Sequence, residues 1–179
     1  MAAYRLPPIT TLPSLPTAEL ATILDHLFEP SVPLHTLSVD LLRDQPFSSY
    51  DDLVASIGVQ LTHLAESSST SDSKWLESIL GAHPRLGEKK IDSTQSKGEQ
   101  AQLALDAETG QDKLSELNSL YERTFPGLRY VVFVNGRDRS TILEDMQARI
   151  DRENIDLERT DAIKAMCEIA ADRARKLAS

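Results

Sequence analysis

The stretch SYDDLVASIGVQLTHLA, residues 49–65, decides the fold class. Ser49 and Asp52 stand three apart, the spacing at which a capping side chain meets the third residue of a helix. Behind them Leu53, Ile57, Leu61 and Leu64 recur every three or four positions, a stripe on one helical face rather than the alternation of a strand. The same period extends in both directions. Upstream, Thr17 reads as an N-cap for Leu20, Ile23, Leu24 and Leu27, and Pro30 with Pro33 stops that run. Ahead of it, Pro7, Pro8, Pro13 and Pro16 predict an extended arm over residues 1–16, because proline has no amide donor and biases its predecessor away from helix. Downstream, Ser67 to Ser71 reads as a loop, and Trp75, Leu76, Ile79 and Leu80 as a short helix closed by Gly81 in left-handed geometry.

Further along, Ser96 and Glu99 precede Leu103 and Leu105 and predict another capped helix. Leu114, Leu117, Leu120, Tyr121 and Phe125 predict a longer one, ended by Pro126-Gly127, and Ile142, Leu143, Met146 and Ile150 the next. Leu157, Ile163, Met166, Ala170, Ala174 and Leu177 mark the last. The exception is Tyr130-Val131-Val132-Phe133-Val134, the one β-like run, and a single strand cannot form a sheet. The expected architecture is therefore all-α: one domain over residues 1–179, a bundle of roughly six to eight helices, with this extended segment lining a site.

Bulk properties narrow the function. With 28 acidic against 19 basic residues the net charge is -9, and the basic residues form no block longer than a pair such as Lys89-Lys90, so neither nucleic acid nor an anionic membrane is an expected partner. One cysteine, Cys167, permits no intrachain disulfide and suits a reducing compartment. Residues 1–8 lack the apolar run of a signal peptide, and a cytoplasmic protein is expected. The terminal Arg175 to Ser179 does not spell Ser-Lys-Leu, which leaves a peroxisome reachable only by another signal.

His26, His35, His63 and His83 are scattered and the cysteine is alone, so no metal site is expected. Neither a glycine-rich phosphate loop nor a Gly-x-Ser-x-Gly elbow is present. His83 lies between Gly81 and Pro84, where its backbone is held extended; it suits a general acid/base near neutral pH and equally a structural histidine. Ser96 with Glu99 reads either as a capping box or as a helix N-terminus that receives an anion, with Gln100 adding an amide that donates and accepts. Local sequence leaves both open.

Taken in order, His83-Pro84-Arg85-Leu86-Gly87, Ser96-x-x-Glu99-Gln100, Leu117-Asn118-x-x-Tyr121-x-x-x-Phe125 and Tyr130 to Val134 resemble the 2-oxo-4-hydroxy-4-carboxy-5-ureidoimidazoline (OHCU) decarboxylases of urate breakdown. The resemblance spans the first helix to the last. It implies an all-α, usually homodimeric enzyme that forms (S)-allantoin and carbon dioxide without metal or organic cofactor. By resemblance His83 is the acid/base, Pro84 shapes its loop, Glu99 orients His83 or binds a ring N–H, and Ser96, Gln100 and the backbone of Tyr130, Val131, Val132, Phe133 and Val134 bind substrate. Three positions depart from the pattern. Arg85 replaces a common Asp, which would let it meet the substrate carboxylate; Ser31-Val32-Pro33-Leu34 stands where relatives often carry Ser-Pro-Trp; and the last-helix arginine aligns with Lys176, leaving Arg173 or Arg175 to substitute. A helical protein-interaction module and a same-fold enzyme for another ureido or hydantoin acid are the competing readings.

Overall fold

The structure, a computed structural model, describes residues 4–87, 94–104 and 111–178. Lys89-Lys90, Leu105 and both chain ends lie outside them. Among the described residues all regular structure is helical: α1 (Thr17–Leu27), α2 (Val32–Asp44), α3 (Tyr50–Glu66), α4 (Thr70–Leu80), α5 (Thr94–Ala104), α6 (Gln111–Thr124), α7 (Arg139–Arg152) and α8 (Ile155–Ala178), preceded by a 3-10 turn at Ile9–Ser14. None of these helices is long and apolar enough to cross a membrane.

The predicted stripes form the core. Leu20, Leu24 and Leu27 of α1, Leu53, Ile57 and Leu61 of α3 and Leu76 and Leu80 of α4 are all fully buried. They meet Ala162, Met166, Ala170 and Ala174 on α8, the long helix that runs most closely along α3. Small side chains make that approach possible: a Cβ on Gly58 would stand 3.1 Å from Cys167 Sγ. The Ser49 cap of α3 is as read, with its hydroxyl accepting from the Asp52 amide at 3.1 Å.

Several local expectations are corrected. Pro33 does not extend the break after α1 but sits in the first turn of α2, where a missing amide donor costs nothing, and Ser31 caps that helix by accepting from Leu34 N at 3.3 Å. The proline-rich arm is not wholly extended: Ile9–Ser14 coils so that Leu12 enters the core, and Leu6 N donates to Leu177 O at 3.0 Å. Thr17 is the first residue of α1 rather than its cap, and α4 begins at Thr70, inside the serine-rich stretch, capped by Ser69. Gly81 is right-handed, with φ -72°; its need for glycine is steric, because a Cβ there would stand 2.9 Å from Glu77 O. α5 begins at Thr94, so Ser96 lies within the helix and is not its cap.

Four pieces of this frame converge: the residues after α1, the 81–87 segment after α4, the start of α5 and the end of α8. The extended run after α6 closes the gap between them. Because α2 depends on one buried cap, Ser31→Ala is expected to lower stability by about 1 kcal/mol. Urea unfolding monitored by far-UV circular dichroism measures it, and an unchanged midpoint would refute the cap.

Candidate active site

A long helix near its end would ordinarily turn an arginine to solvent. Arg173 of α8 is instead only 2% exposed. Its guanidinium grips Glu99 of α5 bidentately through one edge, Nε to Oε1 at 2.8 Å and Nη2 to Oε2 at 2.9 Å. Nη2 also donates to Glu29 Oε1 at 2.9 Å and Ser96 Oγ at 3.0 Å, and Nη1 donates to Phe28 O. Ser96 Oγ in turn donates to Glu29 Oε1 at 2.6 Å. A buried cation is tolerated only when its donors are matched in this way. One positive and two negative side chains share the cluster, so Arg173 offers no surplus positive charge to a bound anion.

His83 stands beside it, 8% exposed. Its Nδ1 is buried, 3.8 Å from Glu29 Oε1 and beyond hydrogen-bonding reach, with no partner. Burial first, and the Arg173 charge second, push the imidazole pKa down to about 3, so the ring is neutral at physiological pH. The segment carrying it is fixed through its backbone. Arg129 Nη1 donates to His83 O at 3.4 Å, Gln100 Nε2 to Arg85 O at 3.1 Å and Asn118 Nδ2 to Leu86 O at 3.0 Å, while Gln100 Oε1 accepts from Gly87 N at 2.7 Å.

These groups border a cavity of about 390 Å³. His83, Pro84, Glu99, Gln100 and Arg173 line it from the helical side. Tyr130, Val132, Phe133 and Val134 form the facing wall. Val131 is the exception within that run: it does not line the cavity, and its side chain packs against Ala165 and Ile169. Ser96, fully buried, lies behind the lining as the bridge between Glu29 and Arg173. Arg85 does not line the cavity either: its Nε donates to Glu122 Oε1 at 2.6 Å, and Nη2 pairs with Oε2. Of the three basic candidates on α8, Arg173 and Lys176 face the cavity, Lys176 paired with Asp172 at 2.5 Å. Arg175 is 60% exposed near Asp51.

Glu29 escaped the sequence reading as a site residue. Its only signal is an acidic side chain placed directly after the apolar Leu27-Phe28 and before Pro30, a position that a buried partner explains and a helix end does not require. Gln95, which lines the cavity while its Nε2 meets His26 Nδ1 at 2.8 Å, left no signal.

The geometry can be set beside known proteins. The sequence model of a family described as OHCU decarboxylase matches residues 13–175. A 2-oxo-4-hydroxy-4-carboxy-5-ureidoimidazoline decarboxylase from Halalkalicoccus jeotgali is 34% identical over 110 residues, 60% of this chain and 58% of that protein. The match thus spans somewhat over half the length of that relative.

The depressed His83 pKa has a measurable consequence for stability. In the unfolded chain the ring protonates below its ordinary value of 6.5, whereas in the folded protein it stays neutral down to about 3, so stability is lost as pH falls through that window. Between pH 6.5 and 4.5 the wild type is expected to lose roughly 2 kcal/mol more than His83→Asn. Urea unfolding of both at the two pH values checks this, and equal losses would contradict a neutral buried ring.

Proposed function

Because the chain belongs to the OHCU decarboxylase family, we propose that it converts OHCU to (S)-allantoin and carbon dioxide, with His83 carrying the proton. The observation that supports this most directly is the meeting of a neutral, buried imidazole with an arginine-pinned carboxylate, Glu99, at one cavity of about 390 Å³. That volume suits a single small heterocycle.

In this reading the ring carbon's bond to its carboxylate breaks, carbon dioxide leaves, and the electron pair moves through the ring to the adjacent imine nitrogen, which takes up a proton. The hydroxyl on the same carbon then becomes a carbonyl as its proton leaves, and a proton arrives at the neighbouring carbon on one face. Neutral His83 accepts the hydroxyl proton and returns it to carbon, so it begins and ends the cycle uncharged. Nδ1 is sealed off, which leaves Nε2 as the ring nitrogen that substrate meets. Glu99 receives a ring or ureido N–H, and Gln100, which braces the His83 segment, extends the polar wall.

Charge supports the first step. Arg173 is already compensated by Glu29 and Glu99, so a substrate carboxylate meets the apolar Val132 and Val134 without a strong counter-charge from the guanidinium. Such surroundings favour losing that charge as carbon dioxide. We further assign the enzyme to urate breakdown as a cofactor-independent homodimer in cytosol or peroxisome, which the family resemblance implies.

Freshly generated OHCU, followed by circular dichroism, is expected to yield (S)-allantoin faster with the protein than without it. No acceleration would sink the proposal. His83→Asn is expected to fold and to lower kcat at least about 100-fold, in line with removal of a general acid/base. Steady-state kinetics test this, and near-normal turnover would remove His83 from its role.

A further inference from the structure

The wall formed by Tyr130 to Val134 separates two cavities. Val132 and Phe133 border the His83 cavity on one side and a second space of about 410 Å³ on the other, which Arg149 of α7 also lines. Arg149 is 7% exposed and reaches the wall from behind. Its Nη1 donates to Val131 O at 3.0 Å, and its guanidinium carbon lies 4.7 Å from the centre of the Tyr130 ring.

The rest of Arg149 is anchored in turn. Nε donates to both carboxylate oxygens of Glu158 at 3.0 and 3.1 Å, Nη2 pairs with Oε1, and Glu158 is completely buried. Tyr121 OH and Arg152 Nη2 complete the coordination of that carboxylate. Tyr130 is tied to the same group, its hydroxyl donating at 2.5 Å to Asp145 Oδ2, which also lies 3.7 Å from Arg149 Nη1.

Across a trans peptide the carbonyl and the following amide point in opposite directions. Pulling Val131 O toward Arg149 therefore turns Val132 N–H to the opposite side of the chain, away from Arg149, in a residue that lines the His83 cavity. That amide has no hydrogen-bond partner among the described residues. We propose that Arg149 is a positioning residue: it touches no substrate itself, but by holding the Val131 carbonyl it presents Val132 N–H as a donor to an acceptor on the bound molecule, a ring or ureido carbonyl oxygen. The identity of that acceptor rests on the function proposed above; the aiming of the amide does not.

The test compares Arg149→Lys with Arg152→Gln. Arg152 also pairs with Glu158, at 3.1 Å, and with Asp161, at 2.7 Å, and no hydrogen bond joins it to Val131, so its loss reports these ion pairs without the Val131 contact. Arg149→Lys is expected to raise KM for OHCU about tenfold with kcat within about threefold, the split of a contact made equally in ground and transition states, and to shift the Val132 amide resonance. Arg152→Gln is expected to lower Tm while leaving KM within about twofold and the Val132 resonance in place. A folded Arg149→Lys with KM within about twofold, or equal KM increases in both variants, would overturn the inference while leaving the activity standing. If the wild type does not accelerate OHCU decay, the functional reading has failed and the Val132 resonance decides: shifted in Arg149→Lys alone supports the positioning role, unshifted refutes it. Should Arg149→Lys not fold, the double variant Arg149→Met with Glu158→Gln removes the fully buried carboxylate together with its cation, leaving only the part-exposed Asp145 without Arg149, and is judged by the same criteria.

Discussion

A guanidinium with 2% exposure has to be matched donor by donor, and the arrangement around Arg173 follows from that requirement. Glu99 supplies two acceptors, Glu29 and Ser96 one each, and the carbonyl of Phe28 another. These groups come from the end of α1, from α5 and from α8, so satisfying one side chain fixes three elements against each other. His83, 3.8 Å from Glu29, is kept neutral chiefly by its burial and secondarily by the Arg173 charge of this cluster. Breaking such a buried network by removing one partner typically costs several kcal/mol, so the cluster's geometry is stiff and so is the cavity it borders.

The site is braced by a second buried charge group that faces it from the opposite direction. Arg149 and Glu158 sit behind the Tyr130 to Val134 wall, whereas Arg173 and Glu99 are themselves part of the helical wall. Both hubs place a last-turn or mid-helix arginine against a carboxylate from a different segment, and both extend a spare donor to a backbone carbonyl. An extended run outside any sheet needs donors from elsewhere to hold its peptide planes, and arginines supply them: Arg149 to Val131 O, and Arg137 to Phe133 O and Val134 O.

Much of the frame was legible in the chain because it depends on short-range periodicity. α3 follows from Ser49 and its leucine stripe almost residue for residue. α2 was missed because Pro33 has two meanings, a stop inside a helix and a good start in its first turn, and only the Ser31 hydrogen bond distinguishes them. Ser96 shows the same ambiguity at the site. Its spacing to Glu99 resembles a capping box, but the helix starts two residues earlier and both side chains turn instead to Arg173. Alignment register favoured Lys176, and Arg173 lies one turn before it on the same helical face, also on the cavity. Pairings between distant residues leave no local period, which is why Glu29, central to the cluster, carried so weak a signal.

The separation of 144 positions between Glu29 and Arg173 also bears on how the molecule reaches this state in time. Helices α1, α3 and α4 can form and associate through nearby apolar stripes, but closing a loop of that length is slow relative to local contacts. Until α8 docks, Glu29 and Ser96 lack the guanidinium that makes their burial tolerable, and water must stay with them. The pocket beside His83 thus cannot consolidate before α8 docks, which places it late in the assembly of the fold.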